Sequence, residues 1–293
     1  MNLKKYLVYI KVVETGSLTK AAELLNYTQP GISQMISSLE EEYGFPLLLR
    51  HKNGVSPTKN GLTVLVAMKE MQRGYEKLIE TVNQINGLET GEIRIGAYTS
   101  ITTNWMPKIL GEFKKSYPFI KIQIHEGNAT ELDHWLEEDK IDFGIGTSHN
   151  NKWVFEALYE DPIVVVMNSQ HRLTRLDRIN LKETEAAEFI LPYPDSHFEV
   201  HELFKKEHIK PNVAYQVKGD ETIISMVSYN LGISLLPNLL LNNCRENIVT
   251  KPLENLESRK IGILLNTTKH SETPSVKRMI EFIKEWVYKN KQD

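Results

Sequence analysis

Gly16–Arg50 reads GSLTKAAELLNYTQPGISQMISSLEEEYGFPLLLR. Ser17 and Thr28 are N-capping residue types, and each precedes a run of helically spaced apolar positions. Leu18, Ala21, Ala22 and Leu25 form the first run; Ile32, Ile36, Leu39 and Tyr43 form the second. The spacing predicts helices over about 18–25 and 29–43, joined by Asn26-Tyr27-Thr28, with Pro30 tolerated in the first turn. The alanine pair lets two helix backbones approach closely. On another face, beside its apolar stripe, the second helix carries Gln29, Ser33 and Ser37, flanked by Pro30 and Gln34. Short polar side chains without bulky charge let a helix enter the major groove, and glutamine can pair bidentately with adenine. Taken alone such a stripe is a solvated face; two helices at this spacing favour double-stranded DNA as its partner.

Working outward, Leu3, Leu7, Ile10 and Val13 predict a first amphipathic helix, ended by Gly16. Beyond Gly44, the segment from Leu47 to Thr58 reads as a hairpin, with Asn53-Gly54 as its turn signal. Arg50, His51 and Lys52 put positive charge beside that turn, as a wing touching the phosphate backbone requires.

These motifs resemble the winged helix–turn–helix of LysR-type transcriptional regulators. The matching residues are Gly16-Ser17-Leu18-Thr19-Lys20-Ala21-Ala22, Gln29-Pro30-Gly31-Ile32-Ser33, Leu39-Glu40, Gly44-Phe45-Pro46-Leu47, Arg50 and Thr58 with Gly61. The resemblance implies that Thr28, Gln29, Pro30 and Ser33 face DNA, with Arg50 and the wing near the backbone. The expected DNA-binding set is therefore Thr28, Gln29, Pro30, Ser33, Gln34, Ser37, Arg50 and Lys52. Three positions depart from the family pattern: Gln34 stands where arginine is common, Leu48 where phenylalanine is usual, and Pro57 where leucine is usual.

Thr58 can cap a long helix to about Asn86. Within it Val64, Met68, Met71, Tyr75, Leu78, Val82 and Ile85 follow an a/d repeat over three heptads. Leu62 and Leu65 are expected to pack on the helix's own domain, and the seam on a partner helix, giving a dimer that spaces two recognition helices for a pseudo-palindromic site. From Glu92 the pattern changes to strand–helix alternation. Strands are expected around Ile93–Ala97, Ile120–Ile124, Ile141–Ile145, Ile163–Met167, Phe189–Leu191, Val213–Val217 and 260–266, with helices between and a last helix over Ser275–Tyr288. Two such α/β units joined by two crossings form a cleft with ligand positions at strand C-termini.

This half is similar to the periplasmic-binding-protein-like effector domain of the same family, Gly232-Ile233-Ser234-Leu235-Leu236-Pro237 being its most specific element. The resemblance implies an inducer between subdomains, near Ser100, Ile101, Thr102, Asn128 and Thr147 on one side and Pro192, Tyr193 and Asp220 on the other. The hydroxyls of Thr99–Thr103 before a helix N-terminus suit an anion such as a carboxylate, and suit ordinary capping equally well. The resemblance also implies a tetramer, built as a dimer of dimers.

Composition is consistent with this reading. The chain has 293 residues, too many for one ordinary core, with net charge −3, and its first 90 residues carry ten basic against nine acidic side chains. Weak net charge means that phosphate binding depends on local placement and on more than one copy. The N-terminal run MNLKKYLVYIKVVETGS is interrupted by Lys11 and Glu14 and is not read as a signal peptide. A single cysteine, Cys244, fits a reducing cytoplasm and is expected to be an inert thiol. His197 and His201 sit at i, i+4, but without a visible third ligand they are read as exposed surface histidines rather than a metal site. No nucleophile elbow or phosphate-binding glycine loop appears, so no catalytic residue, metal or cofactor is expected. The expected fold is multidomain α and α/β: a winged helix–turn–helix over 1–60, a linker and dimerisation helix over 61–90, and an effector-binding domain over 91–293. The latter divides into subdomain I (91–161 and 268–293) and subdomain II (162–267). The expected function is an effector-responsive, DNA-binding transcriptional regulator, the alternative being a solute-binding protein that uses the C-terminal cleft.

Overall fold

The computed structural model describes residues 3–86, 89–148, 150, 152–193, 197–241, 247–266 and 273–290; Cys244 lies outside the described residues. Packing divides the chain into two compact units, Met1–Leu88 and Glu89–Asp293.

The first unit begins with α1 (Leu3–Thr15), α2 (Leu18–Leu25) and α3 (Gln29–Tyr43), the bounds that the capping residues predict. Ser17 accepts from the Lys20 amide and Thr28 from the Gly31 amide, while Asn26 and Gly44 end α2 and α3 in the left-handed region. Tyr9, Ile32, Ile36, Leu39 and Leu47 are fully enclosed between the helices. Glu40 fixes the entry to the wing, its Oε1 accepting from the Leu47 and Leu48 amides at 2.7 and 3.1 Å.

The wing is the antiparallel pair β1 (Leu48–His51) and β2 (Gly54–Pro57). His51 pairs with Gly54, so the connection is Lys52-Asn53 and Gly54 opens the second strand instead of completing the turn. Glycine is needed there because φ is +147° and a Cβ would overlap the Gly16 carbonyl, which accepts from the Val55 amide at 2.9 Å. The family departures Leu48 and Pro57 face each other at the open end of this hairpin.

Helix α4 (Lys59–Ile85) runs for 27 residues from its Thr58 cap. Its first turn passes so close to the wing that a Cβ on Gly61 would overlap both the Leu47 carbonyl and the Tyr9 hydroxyl. The predicted a/d seam divides in two. Met68 is 3% exposed, and Val64, Leu65 and Met71 pack with it against the α1–α3 core, whereas Tyr75, Leu78, Val82 and Ile85 are exposed. Leu62, expected to pack inward, is exposed as well. A 3.5-residue repeat specifies a continuous apolar edge but not which neighbour covers each part of it. Gly61, Val64, Leu65, Met68 and Met71 therefore pack into the core of the first unit.

In the second unit the chain runs β3 (Gly91–Ala97), α5 (Thr99–Asn104), α6 (Met106–Ser116), β4 (Ile120–Glu126), α7 (Ala129–Glu137), β5 (Phe143–Gly146) and β6 (Val154–Asn168). It continues through β7 (Glu188–Pro192), α8 (Phe198–Lys206), β8 (Asn212–Val217), α9 (Asp220–Ser228), β9 (Ser234–Pro237), β10 (Ile248–Pro252), β11 (Ser258–Leu265) and α10 (Pro274–Lys289). Strand order is β10-β6-β11-β5-β3-β4, with β9 also on β6, and a separate parallel pair β7-β8. The hydroxyl-rich segment after β3, expected to precede a helix N-terminus, is itself the short helix α5.

Strand β6 is the backbone of this unit. Its first part pairs with β11, and Ile163–Asn168 pair with β9 and β10, so one strand passes through both subdomains. The strand expected over Ile163–Met167 extends back to Val154, because the more polar run Glu156–Pro162 pairs with β11. Residues 162–267 are expected wholly in subdomain II; β11 instead pairs with β5 and the first part of β6, so the return crossing precedes Ser258. One core gathers around Ile93, Phe113, Phe143 and Ile283; two others lie on the faces of the second subdomain, around Phe189 with Val200 and around Val166 with Ile223. No helix among the described residues is long and apolar enough to cross a membrane.

Gly61→Ala is expected to destabilise the DNA-binding unit by about 1–3 kcal/mol or more, because the clash is with backbone and cannot be relieved by a rotamer change. Circular dichroism melts should show the helical signal of this unit lost at lower temperature while tryptophan fluorescence is unchanged, since Trp105, Trp135, Trp153 and Trp286 all lie in the second unit.

Candidate functional site

On the first unit, α3 presents Gln29, Pro30 and Gln34 to solvent, with Ser33 and Ser37 half-buried along the same side. Thr28 is exposed, but its hydroxyl caps α3 by accepting from the Gly31 amide at 3.2 Å. Arg50 reaches from β1 to this helix, Nη2 donating to Ser33 Oγ at 3.2 Å. A cation from the wing thus sits beside the helix face where Gln34 replaces the usual arginine. Lys52 is exposed at the hairpin tip, and His51 Nε2 lies 2.7 Å from Ser56 Oγ, bracing the two wing strands. The helix carries no acidic residue in its first turn, so no carboxylate there offsets the positive end of the helix or the nearby Arg50 guanidinium.

The second unit holds a chain of buried charges between its subdomains. Arg259 on β11 is 4% exposed and Asp161 on β6 is fully enclosed. Nε donates to Asp161 Oδ2 at 3.0 Å, and Nη2 lies 2.9 Å from the same oxygen. The other carboxylate oxygen of Asp161 accepts from the Leu239 amide at 2.9 Å. Nη2 also donates to Ser100 Oγ on α5 at 2.9 Å, and Nη1 to Glu199 Oε1 on α8 at 3.3 Å. Glu199 is in turn 3.5 Å from His197 Nδ1, and His197 Nε2 is 2.8 Å from Asp220 Oδ1 at the start of α9. Tyr98 stacks beneath the guanidinium at 5.8 Å, its hydroxyl 2.8 Å from Thr147 Oγ1.

Electrostatics in this chain follow from burial and alternation of sign. For His197, burial alone would lower the pKa, but hydrogen bonds and charge from Asp220 and Glu199 override it and push the value up to about 9. Burial would raise the Glu199 pKa; His197 and Arg259 hold it below the ordinary carboxylate value instead. Tyr98 is pushed up to about 12, chiefly by desolvation.

The expected effector residues divide into three groups. Ser100 and Asp220 are linked through Arg259, Glu199 and His197, with Thr147 adjoining through Tyr98. Ile101 is fully buried in the core of the first subdomain and offers nothing to a cleft ligand. The remaining four are engaged locally or lie apart. The Asn128 side chain closes a capping box with Glu131, Thr102 Oγ1 lies 2.5 Å from Glu126 Oε2, the Pro192 carbonyl is 2.9 Å from His201 Nε2, and Tyr193 is exposed. The hydroxyl cluster expected to receive an anion is engaged from within: Thr99 and Thr102 donate their hydroxyls to Glu126, and Ser100 Oγ accepts from Arg259.

His197, read from the sequence as a surface histidine, is 5% exposed and at the centre of the charge chain. Arg259, Asp161 and Glu199 were not singled out. The available signal was phase: in Ser258–Leu265, Arg259 shares the buried alternation of Ile261 and Ile263, and a charged residue at such a position needs partners.

Protonated His197 stabilises the fold fully below its unfolded value near 6.5, and that stabilisation is lost as pH rises through about 9. The depressed Glu199 acts oppositely, its contribution being lost as pH falls below the ordinary carboxylate range. Tryptophan-monitored unfolding should therefore show stability of the second unit falling on the order of 3 kcal/mol from neutral to alkaline pH. His197→Gln should flatten that limb; an unchanged limb would remove His197 as its cause.

Residues 3–62 match the model for the bacterial regulatory helix-turn-helix protein, lysR family, and residues 86–287 match the LysR substrate binding domain. The uncharacterized HTH-type transcriptional regulator YvbU of Bacillus subtilis is 31% identical over 288 residues, covering 97% of this chain and 98% of its own. The HTH-type transcriptional activator CmpR of Synechocystis is 31% identical over 241 residues, 80% of this chain and 78% of its own. Among solved structures, a full-length OxyR variant from Pseudomonas aeruginosa superposes with TM-score 0.76 at 20% identity over 98% of this chain and 94% of that one. The effector binding domain of QuiR in complex with shikimate gives 0.62 at 23% identity, over 69% and 99% respectively. These two structures share the fold, and the two family models together span nearly the whole sequence. The chain belongs to the LysR family of DNA-binding transcriptional regulators, with an N-terminal helix–turn–helix and a C-terminal effector-binding domain.

Proposed function

We propose that this regulator reads DNA with Gln29, Ser33, Gln34 and Ser37 of α3, with Pro30 at the groove edge, Thr28 holding the helix end, and Arg50 and Lys52 on the backbone. The observation that carries this reading is the hydrogen bond from Arg50 to Ser33, which sets the wing's cation against the exposed polar face of the helix. Base-reading and phosphate-binding residues differ in what their loss does. Gln29→Ala is expected to relax sequence preference at one position of each half-site, at a cost of about 1–3 kcal/mol in affinity. Lys52→Ala should weaken binding to all sequences and reduce the salt slope by about one. Footprinting and salt titration separate the two, and an unchanged Gln29→Ala footprint would contradict the assignment.

Two copies are required for affinity, because the first 90 residues carry nearly balanced charge. The exposed apolar part of α4, with Tyr75, Leu78, Val82 and Ile85, is the face proposed to pair two chains. Paired recognition helices then meet half-sites about one helical turn apart, and a dimer of dimers extends the contact along the promoter. Leu78→Asp combined with Val82→Asp should shift sedimentation at micromolar concentration towards the monomer and abolish footprinting; an unchanged oligomer would exclude this face.

The cleft between the subdomains, bordered by Ser100, Thr147 and Asp220, is proposed to bind a small-molecule effector, as QuiR's effector binding domain binds shikimate. With its hydroxyls already engaged by Glu126 and Arg259, the cleft recognises an effector by exchange of hydrogen bonds rather than by filling an open anion site. Because its relatives are transcriptional regulators, the protein is proposed to act through this binding rather than through turnover. As a member of a family of soluble DNA-binding regulators, it is proposed to work in the cytoplasm.

A further inference from the structure

Resting on the reading of the cleft as the effector site, we propose that Arg259 is the residue that couples the two sides of that cleft. Its guanidinium ties Ser100 of the first subdomain to Glu199 of the second, so that an effector engaging Ser100 alters the hold on α8 and α9. Asp161 anchors the guanidinium from the neighbouring crossing strand through Nε and Nη2. The remaining two contacts diverge. Nη2 holds Ser100 at 2.9 Å on the short helix after β3, and Nη1 holds Glu199 at 3.3 Å in the first turn of α8. From Glu199 the chain passes through His197 to Asp220, so both segments that carry the second subdomain's side of the cleft hang on one arginine.

The geometry depends on arginine chemistry. A guanidinium presents five N–H groups in a fixed plane and can hold three acceptors at once, whereas a lysine ammonium reaching Asp161 acts as a point charge without that fork. The partners are unlike in strength. The contact to Asp161 is doubled and fully enclosed, so it persists; that to Glu199 is single and the longest of the set. Loss of the Ser100 acceptor leaves one buried N–H seeking a partner, which reorients the fork at its weakest contact. Arg259 is a positioning residue: it acts on the effector through Ser100 and on the second subdomain through Glu199.

The test is a double-mutant cycle on the full chain, with urea unfolding followed by tryptophan fluorescence to report the second unit. Ser100→Ala and Glu199→Gln lie on opposite subdomains and are joined through the guanidinium. Their effects on the unfolding equilibrium should be non-additive by roughly fivefold or more. The coupling should fall to within about twofold in an Arg259→Lys background, which keeps the charge beside Asp161 and so keeps the fold. Arg259→Met should behave likewise where it folds. Additive effects in the parent protein, or coupling unchanged in Arg259→Lys, would overturn the proposal. Footprints of the single variants on the cognate promoter distinguish the tie from the cleft reading. Coupling with an unaltered footprint leaves the tie standing and removes the cleft from control of DNA binding; an altered footprint without coupling does the reverse.

Discussion

An arginine side chain taken out of water is retained only where its charge is compensated and its donors find acceptors. The second unit of this regulator is assembled around that requirement. Asp161 is placed by β6, the one strand that runs through both subdomains, and Arg259 by β11, which lies beside it. Removing either partner would leave an uncompensated buried charge at a typical cost of about 3–5 kcal/mol. The pair therefore fixes where the subdomains meet, and Ser100, Glu199, His197 and Asp220 extend it outward to the cleft. On the proposed reading of the cleft, a ligand acts by re-partnering charge that is already compensated, which gives it differential affinity for two arrangements.

The DNA-binding unit works on a different principle. Its helices are fixed by caps and close backbone approach: Ser17 and Thr28 start α2 and α3, and Gly54 and Gly61 admit carbonyl groups where any side chain would collide. Nothing about its net charge makes it a strong binder. On the proposed reading, affinity comes from placement, above all of Arg50 against Ser33, and from pairing through α4. Met68 completes the core of the DNA-binding unit, while Leu78 and Val82 on the same helix are exposed and form part of the face proposed for a partner.

How much could be read from sequence follows the range of the interactions. The bounds of α1–α3 and the wing were legible because caps, left-handed residues and turn signals act within a few positions. The long helix was legible as a helix, but its apolar edge was misassigned, since periodicity does not say whether Met71 or Leu62 meets the chain's own core. The first part of β6 was missed because Glu156–Pro162 is polar and largely exposed, and its strand form rests on pairing with β11, a hundred residues later. Ser100, Thr147 and Asp220 were named through family resemblance and lie on or beside the charge chain, whereas Ile101, named with them, is buried in the core. Arg259 and Asp161 were invisible for a physical reason: their contact spans 98 positions, and that between Arg259 and Ser100 spans 159, so neither leaves a local pattern.

Amide hydrogen exchange on the full-length protein tests most directly whether one buried guanidinium holds both sides of the cleft. Comparing the parent with Arg259→Lys, the account predicts faster exchange in both α5 and α8, which are remote in sequence, with α3 unchanged. Exchange that rises only around β11 and β6, leaving α5 and α8 at parent rates, would contradict it.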